Sequence, residues 1–151
     1  MNGSQISLYE RVMGVIDTKL AWLPPLIARI TIGGVFIESG WGKLHNLDKV
    51  IAFFTELGIP APQIQAPFVA GVELVCGGLV LAGLFTRLAS IPLVCTMVVA
   101  ILTAKKGDLT QFTDLFGFIE FLYIVILLFL VVKGAGTFSV DRLFPRRTRR
   151  P

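Results

Sequence analysis

The sequence is poor in the residues from which most metal and catalytic sites are built. It has one histidine and two cysteines among 151 residues, which excludes a histidine-rich metal or haem site. Cys76 and Cys95 are too far apart for a C-x-x-C motif, and no phosphate-binding glycine loop is present. We therefore predict no metal site, and the sequence leaves the catalytic residues, if there are any, unknown.

Charged residues are also scarce. They make up 16% of the chain, against about 25% in typical soluble domains. Hydrophobic residues make up 54%, and the mean hydropathy is +0.78. The apolar residues fall into four stretches, each close to the roughly 20 residues that a membrane helix needs. We predict an all-α membrane protein in which a single domain, 1–151, forms an antiparallel four-helix bundle. Its transmembrane helices are predicted at about 22–43, 66–84, 88–105 and 114–133.

Two further helices are predicted at the membrane surface. Apolar residues recur at helical spacing between Tyr9 and Leu20, which indicates an N-terminal helix lying on the cytoplasmic side. The first external loop, NLDKVIAFFTELGIPAP, shows the same spacing between Asn46, a suitable N-cap, and Gly58, a suitable stop. We expect an amphipathic helix there, at the membrane interface or, alternatively, as a lid over the outer mouth of the bundle.

The orientation follows from the lysines and arginines that flank the predicted spans, because cytoplasmic flanks are enriched in these residues. The two termini and the turn after the second span hold nine of them: Arg11, Lys19, Arg87, Lys133, Arg142, Arg146, Arg147, Arg149 and Arg150. The opposite side holds four: Lys43, Lys49, Lys105 and Lys106. We expect a multi-pass protein of the cell (inner) membrane with both termini in the cytoplasm. The basic tail, 134–151, is expected near anionic membrane lipids and not on nucleic acid.

Four ionisable residues lie inside the predicted spans: Arg29, Glu38, Glu73 and Glu120. A charge at mid-bilayer costs about 2.5–3.5 kcal/mol on insertion scales, so these groups should face the bundle interior. At 100° per residue Arg29 shares a face with Lys43, and Glu38 points nearly the opposite way. We expect Arg29 to pair with Glu73 or Glu120, and Glu38 to face another helix edge, a water-filled cleft or a neighbouring protomer.

This polar core has two interpretations that the sequence leaves open. It is either a ligand or proton site, or a purely structural pair that ties helices together. His45, at the membrane edge, is an interface residue or, alternatively, a proton relay at the outer mouth. Cys76 and Cys95 fall at matched depth on the second and third spans, as buried apolar residues rather than as a redox pair.

Several segments together resemble the DoxX/DoxD-like family of small four-helix membrane proteins. The first span, LIARITIGGVFIESGWGKL, is similar to the family's arginine, glycine-rich run and G-x-x-K ending. LGIPAP and VELVCGGLVLAGLFTRLAS follow, then GFIEFLYIVILL and KGAGTFSVDRLF, in the family's order. The resemblance implies that Arg29, Lys43, Glu73 and Glu120 form a polar core. Glu38 departs from the family's usual apolar or histidine residue.

The resemblance implies a link to redox enzymes, because the family takes its name from a subunit associated with a thiosulfate:quinone oxidoreductase. The leading hypothesis is a redox-associated membrane component that binds a quinone-like or other lipophilic molecule at the buried Arg/Glu cluster. A redox-enzyme partner subunit would supply the electrons, and the protein is open to homo-oligomer formation. The alternatives are a non-enzymatic assembly or chaperone subunit, and a small-solute or proton pathway through Glu38, Glu73 and Glu120.

Overall fold

The computed structural model describes residues 13–14 and 19–143. The described part is helical and contains no β-strand. Its α-helices are α1 (Leu23–His45), α2 (Leu47–Glu56), α3 (Pro62–Ala82), α4 (Thr86–Ala104) and α5 (Ile119–Lys133). Two short 3-10 helices, Phe112–Gly117 and Val140–Leu143, precede and follow α5. The predicted N-terminal surface helix and the last residues of the basic tail lie outside the described residues, apart from 13–14 and 19–20 in the former.

The four long helices share one hydrophobic core. Fully buried side chains from each of them meet there, among them Phe36 of α1, Val80 of α3, Leu93 of α4 and Leu127 of α5. Helix α1 packs mainly on α3, and α4 packs mainly on α5. The short α2 lies against α3 beside the end of α1.

Glycines on one face of α1 let it approach α3 closely. A Cβ atom on Gly40 would lie 2.7 Å from the carbonyl oxygen of Ala70, and one on Gly33 would lie 2.7 Å from the Cβ of Leu81. These two contacts fix an antiparallel register between the helices. Small residues at such crossings allow backbone-to-backbone packing, which stabilises helix pairs in a membrane.

The bundle has two distinct ends, which we name for what lies at each. At the turn end, α3 and α4 are joined through Gly83 and Phe85, whose φ angles of 72° and 49° are left-handed. At the α2 end, α1 ends at His45 and α2 begins directly after Asn46. Asn46 is the N-cap residue of α2, as predicted, but its side chain makes no capping hydrogen bond to α2, and its amide donates to the Gly42 carbonyl at 2.9 Å. The amide therefore serves the end of α1.

Two of the helices, α3 and α4, are long and apolar enough by length and composition to cross a membrane. Helix α1 is longer but carries three charged residues, Arg29, Glu38 and Lys43. The prediction that the fourth span begins at residue 114 is wrong, because α5 begins at Ile119. The carboxylate of Asp114 accepts hydrogen bonds from the backbone N–H groups of Thr110 and Gln111, which holds this stretch in a separate turn.

Candidate functional site

Arg29 lies at the turn end of the bundle. Its side chain is 4% exposed, and its Nη1 donates to the carbonyl oxygens of Ala135 and Phe138, each at 2.7 Å. These carbonyls belong to the segment that follows α5, where no helical N–H is available to them. The predicted pairing of Arg29 with Glu73 or Glu120 is therefore wrong, because the returning chain supplies the acceptors instead.

The segment after α5 is fixed over the turn end by further contacts. Gly134 and Gly136 have φ angles of 78° and 77°, which turn the chain back toward the bundle. Asp141 then accepts a hydrogen bond from the N–H of Phe85 at 2.7 Å, and its own N–H donates to the Gly83 carbonyl at 3.0 Å. The contacts of Arg29 thus help to hold the segment after α5 against the turn end of the bundle.

Glu73 is the centre of a second polar cluster, located in the middle of α3. Its side chain is 1% exposed, and both carboxylate oxygens lie 2.5 Å from Nζ of Lys43. Ser39, one helical turn before Lys43, donates to the same carboxylate at 2.8 Å. The register set by Gly40 places Lys43 beside Glu73, so the lysine satisfies the buried charge.

A cavity of about 750 Å³ opens beside this ion pair. It lies between α2, α3 and α4, and its walls are almost entirely apolar. The Lys43 side chain, 28% exposed, and Glu73 reach it from the bundle interior, and Lys49 reaches it from α2. Its volume falls within the range of about 300–1,000 Å³ typical of small-molecule sites, which combine apolar walls with a few polar groups.

The other predicted site residues do not line this cavity. Glu38 is exposed on the opposite side of α1 and makes no hydrogen bond or ion pair with a described residue. Glu120, in the first turn of α5, is half-buried, and its Oε2 has no hydrogen-bond partner within the described part of the chain. His45 contacts the Trp41 carbonyl through Nδ1 at 2.9 Å and stacks on the Trp41 ring.

Comparisons with known proteins place this arrangement in a family. A model of the DoxX family matches residues 25–106. A Mycobacterium tuberculosis protein, "Uncharacterized membrane protein Rv3486", is 35% identical over 82% of this chain and 84% of its own length. This chain belongs to the DoxX family.

Two further relatives also match most of this chain, each at 30% identity. The Bacillus subtilis protein "Putative oxidoreductase CatD" is 30% identical over 77% of this chain and 83% of its own length. The Escherichia coli protein "Inner membrane protein YphA" is 30% identical over 78% of this chain and 87% of its own length. No solved structure matches the chain significantly. The family match and these relatives together show that the protein is a DoxX-family membrane protein.

The DoxX match covers the cavity but not the whole polar core predicted from the sequence. Residues 25–106 include Arg29, the Lys43–Glu73 pair and the cavity walls, whereas Glu120 lies beyond them. Both cysteines are free; Cys95 lines the cavity, and Cys76 packs against the core. No group of three or more His, Cys, Asp or Glu residues able to hold a metal ion exists within the described residues.

Sequence reasoning missed Ser39 and Lys49, and also the uncharged polar residues Gln65, Thr96 and Thr103 that line the cavity. Ser39 precedes Lys43 by one helical turn, so it could have been recognised as a second donor on the same face. Lys49 lies on the predicted amphipathic helix, but nothing in the spacing of that helix indicates which side of the bundle it covers. The contact of α2 with α3 settles this in the structure.

Proposed function

We propose that the protein crosses the membrane four times, through α1, α3, α4 and α5, as one domain. Helix α1 has 23 residues, or about 34 Å at 1.5 Å per residue, which is enough to span the hydrocarbon layer. The proposal assigns the turn end and both termini to the cytoplasm, because the lysines and arginines near the turn end outnumber those near the α2 end. Helix α2 then lies in the outer leaflet over the cavity.

The function proposed for this DoxX-family protein is to bind a quinone-like lipophilic molecule in the cavity, as a redox-associated membrane component. The observation that carries it is the Lys43–Glu73 ion pair set in the wall of an apolar cavity of about 750 Å³. Intramembrane ionisable groups mark ligand and proton sites by default. The relative whose name contains the word oxidoreductase supports a redox link.

The roles expected of the polar residues follow from their contacts. Lys43 is partly exposed toward the cavity, so its ammonium group can donate a hydrogen bond to a carbonyl oxygen of the ligand. Glu73 holds the lysine in place and is the nearest group able to accept a proton from a reduced ligand. Arg29, which the sequence analysis included in the ligand-binding Arg/Glu cluster, donates its hydrogen bonds to backbone carbonyls at the turn end. A redox-enzyme partner subunit supplies the electrons in this proposal.

A proton pathway through all three intramembrane glutamates has less support. Only Glu73 lines the cavity, while Glu38 is exposed on the opposite face of α1. Glu120 begins α5 and does not line the cavity. The ligand hypothesis, in contrast, requires only Glu73, which lines the cavity.

The test is binding of a short-chain quinone, such as decylubiquinone, to protein purified in a mild neutral detergent. Native mass spectrometry and thermal stabilisation report stoichiometry and affinity. We expect one quinone per chain and at least tenfold weaker binding by Lys43→Met. Glu38→Gln, on the opposite face, is the matched control and should bind like the unmodified protein. Absence of quinone binding, together with a stoichiometric protein partner, would replace this proposal by the assembly-subunit alternative.

A further inference from the structure

The cavity carries an unbalanced positive charge. Three charged side chains line it: Lys43, Glu73 and Lys49. The first two neutralise each other in the ion pair. Lys49 is exposed, and its side chain makes no hydrogen bond or ion pair with any described residue. With Glu73 ionised, the cavity therefore has a net charge of +1.

The apolar walls and Lys49 are arranged as the two halves of an amphiphile-binding site. Lys49 lies in the first turn of α2, and the apolar side of α2, with Phe53 and Leu57, covers the cavity. The cavity then extends along α3 and α4 as far as Ile91, which lies near the turn end of α4. A long lysine side chain keeps its ammonium group at a polar boundary while its stem lies on apolar surface. Lys49 thus lies on the α2 side of the cavity, and the apolar residues Phe68, Val69 and Val72 of α3 continue from the α2 end toward the ion pair.

The cavity is also accessible from the side. Phe68 of α3 and Ile91 of α4 both line it, yet 68% and 49% of their surfaces are exposed. In a membrane these surfaces face the hydrocarbon tails of the lipids. A hydrophobic ligand can therefore enter laterally between α3 and α4 without passing through water.

We propose that the cavity takes a single-chain lipophilic anion. Its acidic oxygen pairs with Lys49, and its hydrocarbon tail lies between α3 and α4. The proposal rests on the cavity being the ligand site proposed above and goes beyond the quinone by naming a second class of ligand. A charge-assisted hydrogen bond is roughly twice as strong as a neutral one, so Lys49 favours an anionic head over a neutral head of the same size. The volume of about 750 Å³ suits one chain with a small head.

The test compares probes that share a chain and differ in head charge. Palmitate and hexadecanol are titrated against protein in neutral detergent, with binding followed by native mass spectrometry and thermal stabilisation. We expect palmitate to bind at least tenfold more tightly than hexadecanol. Lys49→Gln should weaken palmitate at least fivefold and leave hexadecanol unchanged. Lys106→Gln is the matched control, since Lys106 is an exposed lysine that does not line the cavity.

Two further probes extend the test. The first distinguishes a two-chain lipid from a single-chain anion, and the second distinguishes failure of the anion proposal from failure of the quinone proposal. Phosphatidylglycerol tests whether a two-chain lipid is the ligand; if it binds in a Lys49-dependent way and palmitate does not, the single-chain proposal is overturned. Decylubiquinone is titrated in parallel. If the quinone binds while palmitate shows no advantage over hexadecanol, the anion proposal is wrong and the quinone proposal stands. If no probe binds, both are wrong.

Discussion

Arg29 and Lys43 lie on the same face of α1 but at opposite ends of the bundle, and their surroundings give them different roles. Arg29 is buried against the returning chain, where it donates to the carbonyls of Ala135 and Phe138. Lys43 is paired with Glu73 and keeps part of its side chain open to the cavity. The role of a charge inside this bundle depends on what the neighbouring segment presents to it. At the turn end that is backbone, and at the α2 end it is a carboxylate beside an apolar cavity.

The largest effect is expected from Gly40→Leu, because both ends depend on the close approach of α1 and α3. Any side chain at Gly40 would overlap the backbone of Ala70 and Leu74, and neither can move without shifting α3. We expect a loss of about 3 kcal/mol or more in the free energy of unfolding. Thermal unfolding of the purified protein in detergent measures this.

Gly42→Leu is the control for that substitution. Gly42 lies on the same helix, but a Cβ atom there would have no neighbour within 4 Å. The two glycines differ only in the face they occupy. Equal midpoint temperatures for the two variants would contradict the register between α1 and α3.

Arg29→Met should destabilise the turn end without affecting the cavity. The substitution leaves the buried carbonyl of Ala135 and the partly buried carbonyl of Phe138 without their charged donor, which we expect to cost about 3 kcal/mol. Ligand affinity at temperatures well below unfolding should be unchanged, because Arg29 does not line the cavity. Arg87→Met is the control, since Arg87 is exposed and makes no side-chain hydrogen bond with a described residue. Weakened ligand binding by Arg29→Met would contradict the purely structural role that we assign to Arg29 at the turn end.

The sequence was sufficient to place Arg29 and Lys43 on one face of α1, but it was insufficient to identify the partner of Arg29. Angular spacing placed Arg29 and Lys43 on one face of α1, as observed, and the family resemblance gave Glu73 as part of a polar core. The partner of Arg29 could not be deduced, because the extent of the apolar stretches does not fix the register between the helices. The actual register is set by glycine contacts between helices and by a chain reversal at Gly134 and Gly136. Hydropathy predicts neither the glycine contacts between helices nor the chain reversal.

The start of the last helix shows the same limit on a smaller scale. Residues 114–118 are apolar enough to extend a predicted span, yet the 3-10 helix Phe112–Gly117 lies there, before the start of α5. The hydrogen bonds of Asp114 to Thr110 and Gln111 decide this, since a side chain that accepts backbone N–H groups competes with the helix. Such local competition is invisible to a window average of hydropathy.

Replacing one partner of the ion pair should have a smaller effect on stability than Arg29→Met but a larger effect on binding. Glu73→Leu leaves Lys43 uncompensated beside the cavity, and because the lysine is 28% exposed we expect a loss of about 2 kcal/mol. The double variant Lys43→Met/Glu73→Leu should recover most of that stability and still bind no quinone. If the double variant binds quinone normally, the pair is structural at this end as well, and the two ends no longer differ.

The smallest effect is expected in the loop before α5, which lies at the α2 end but does not line the cavity. The backbone N–H of Gln111, the hydroxyl of Thr110 and the backbone N–H of Thr110 hold the pKa of Asp114 below its ordinary value of 3.8. Because the folded pKa is the lower one, these bonds contribute fully above pH 3.8 and are lost as the pH falls through the folded value. Hydrogen exchange of residues 110–118, corrected for intrinsic rates, should therefore show protection that disappears only under acidic conditions.

Asp114→Asn should remove this pH dependence, whereas Asp108→Asn should not, since the Asp108 carboxylate makes no hydrogen bond with a described residue. Ligand binding should be the same in both variants, because neither residue lines the cavity. If Asp114→Asn weakens ligand binding while leaving Lys43 and Glu73 intact, the loop must help to hold the wall of α4. The boundary of the site at the α2 end would then extend beyond Ala104 to the start of α5.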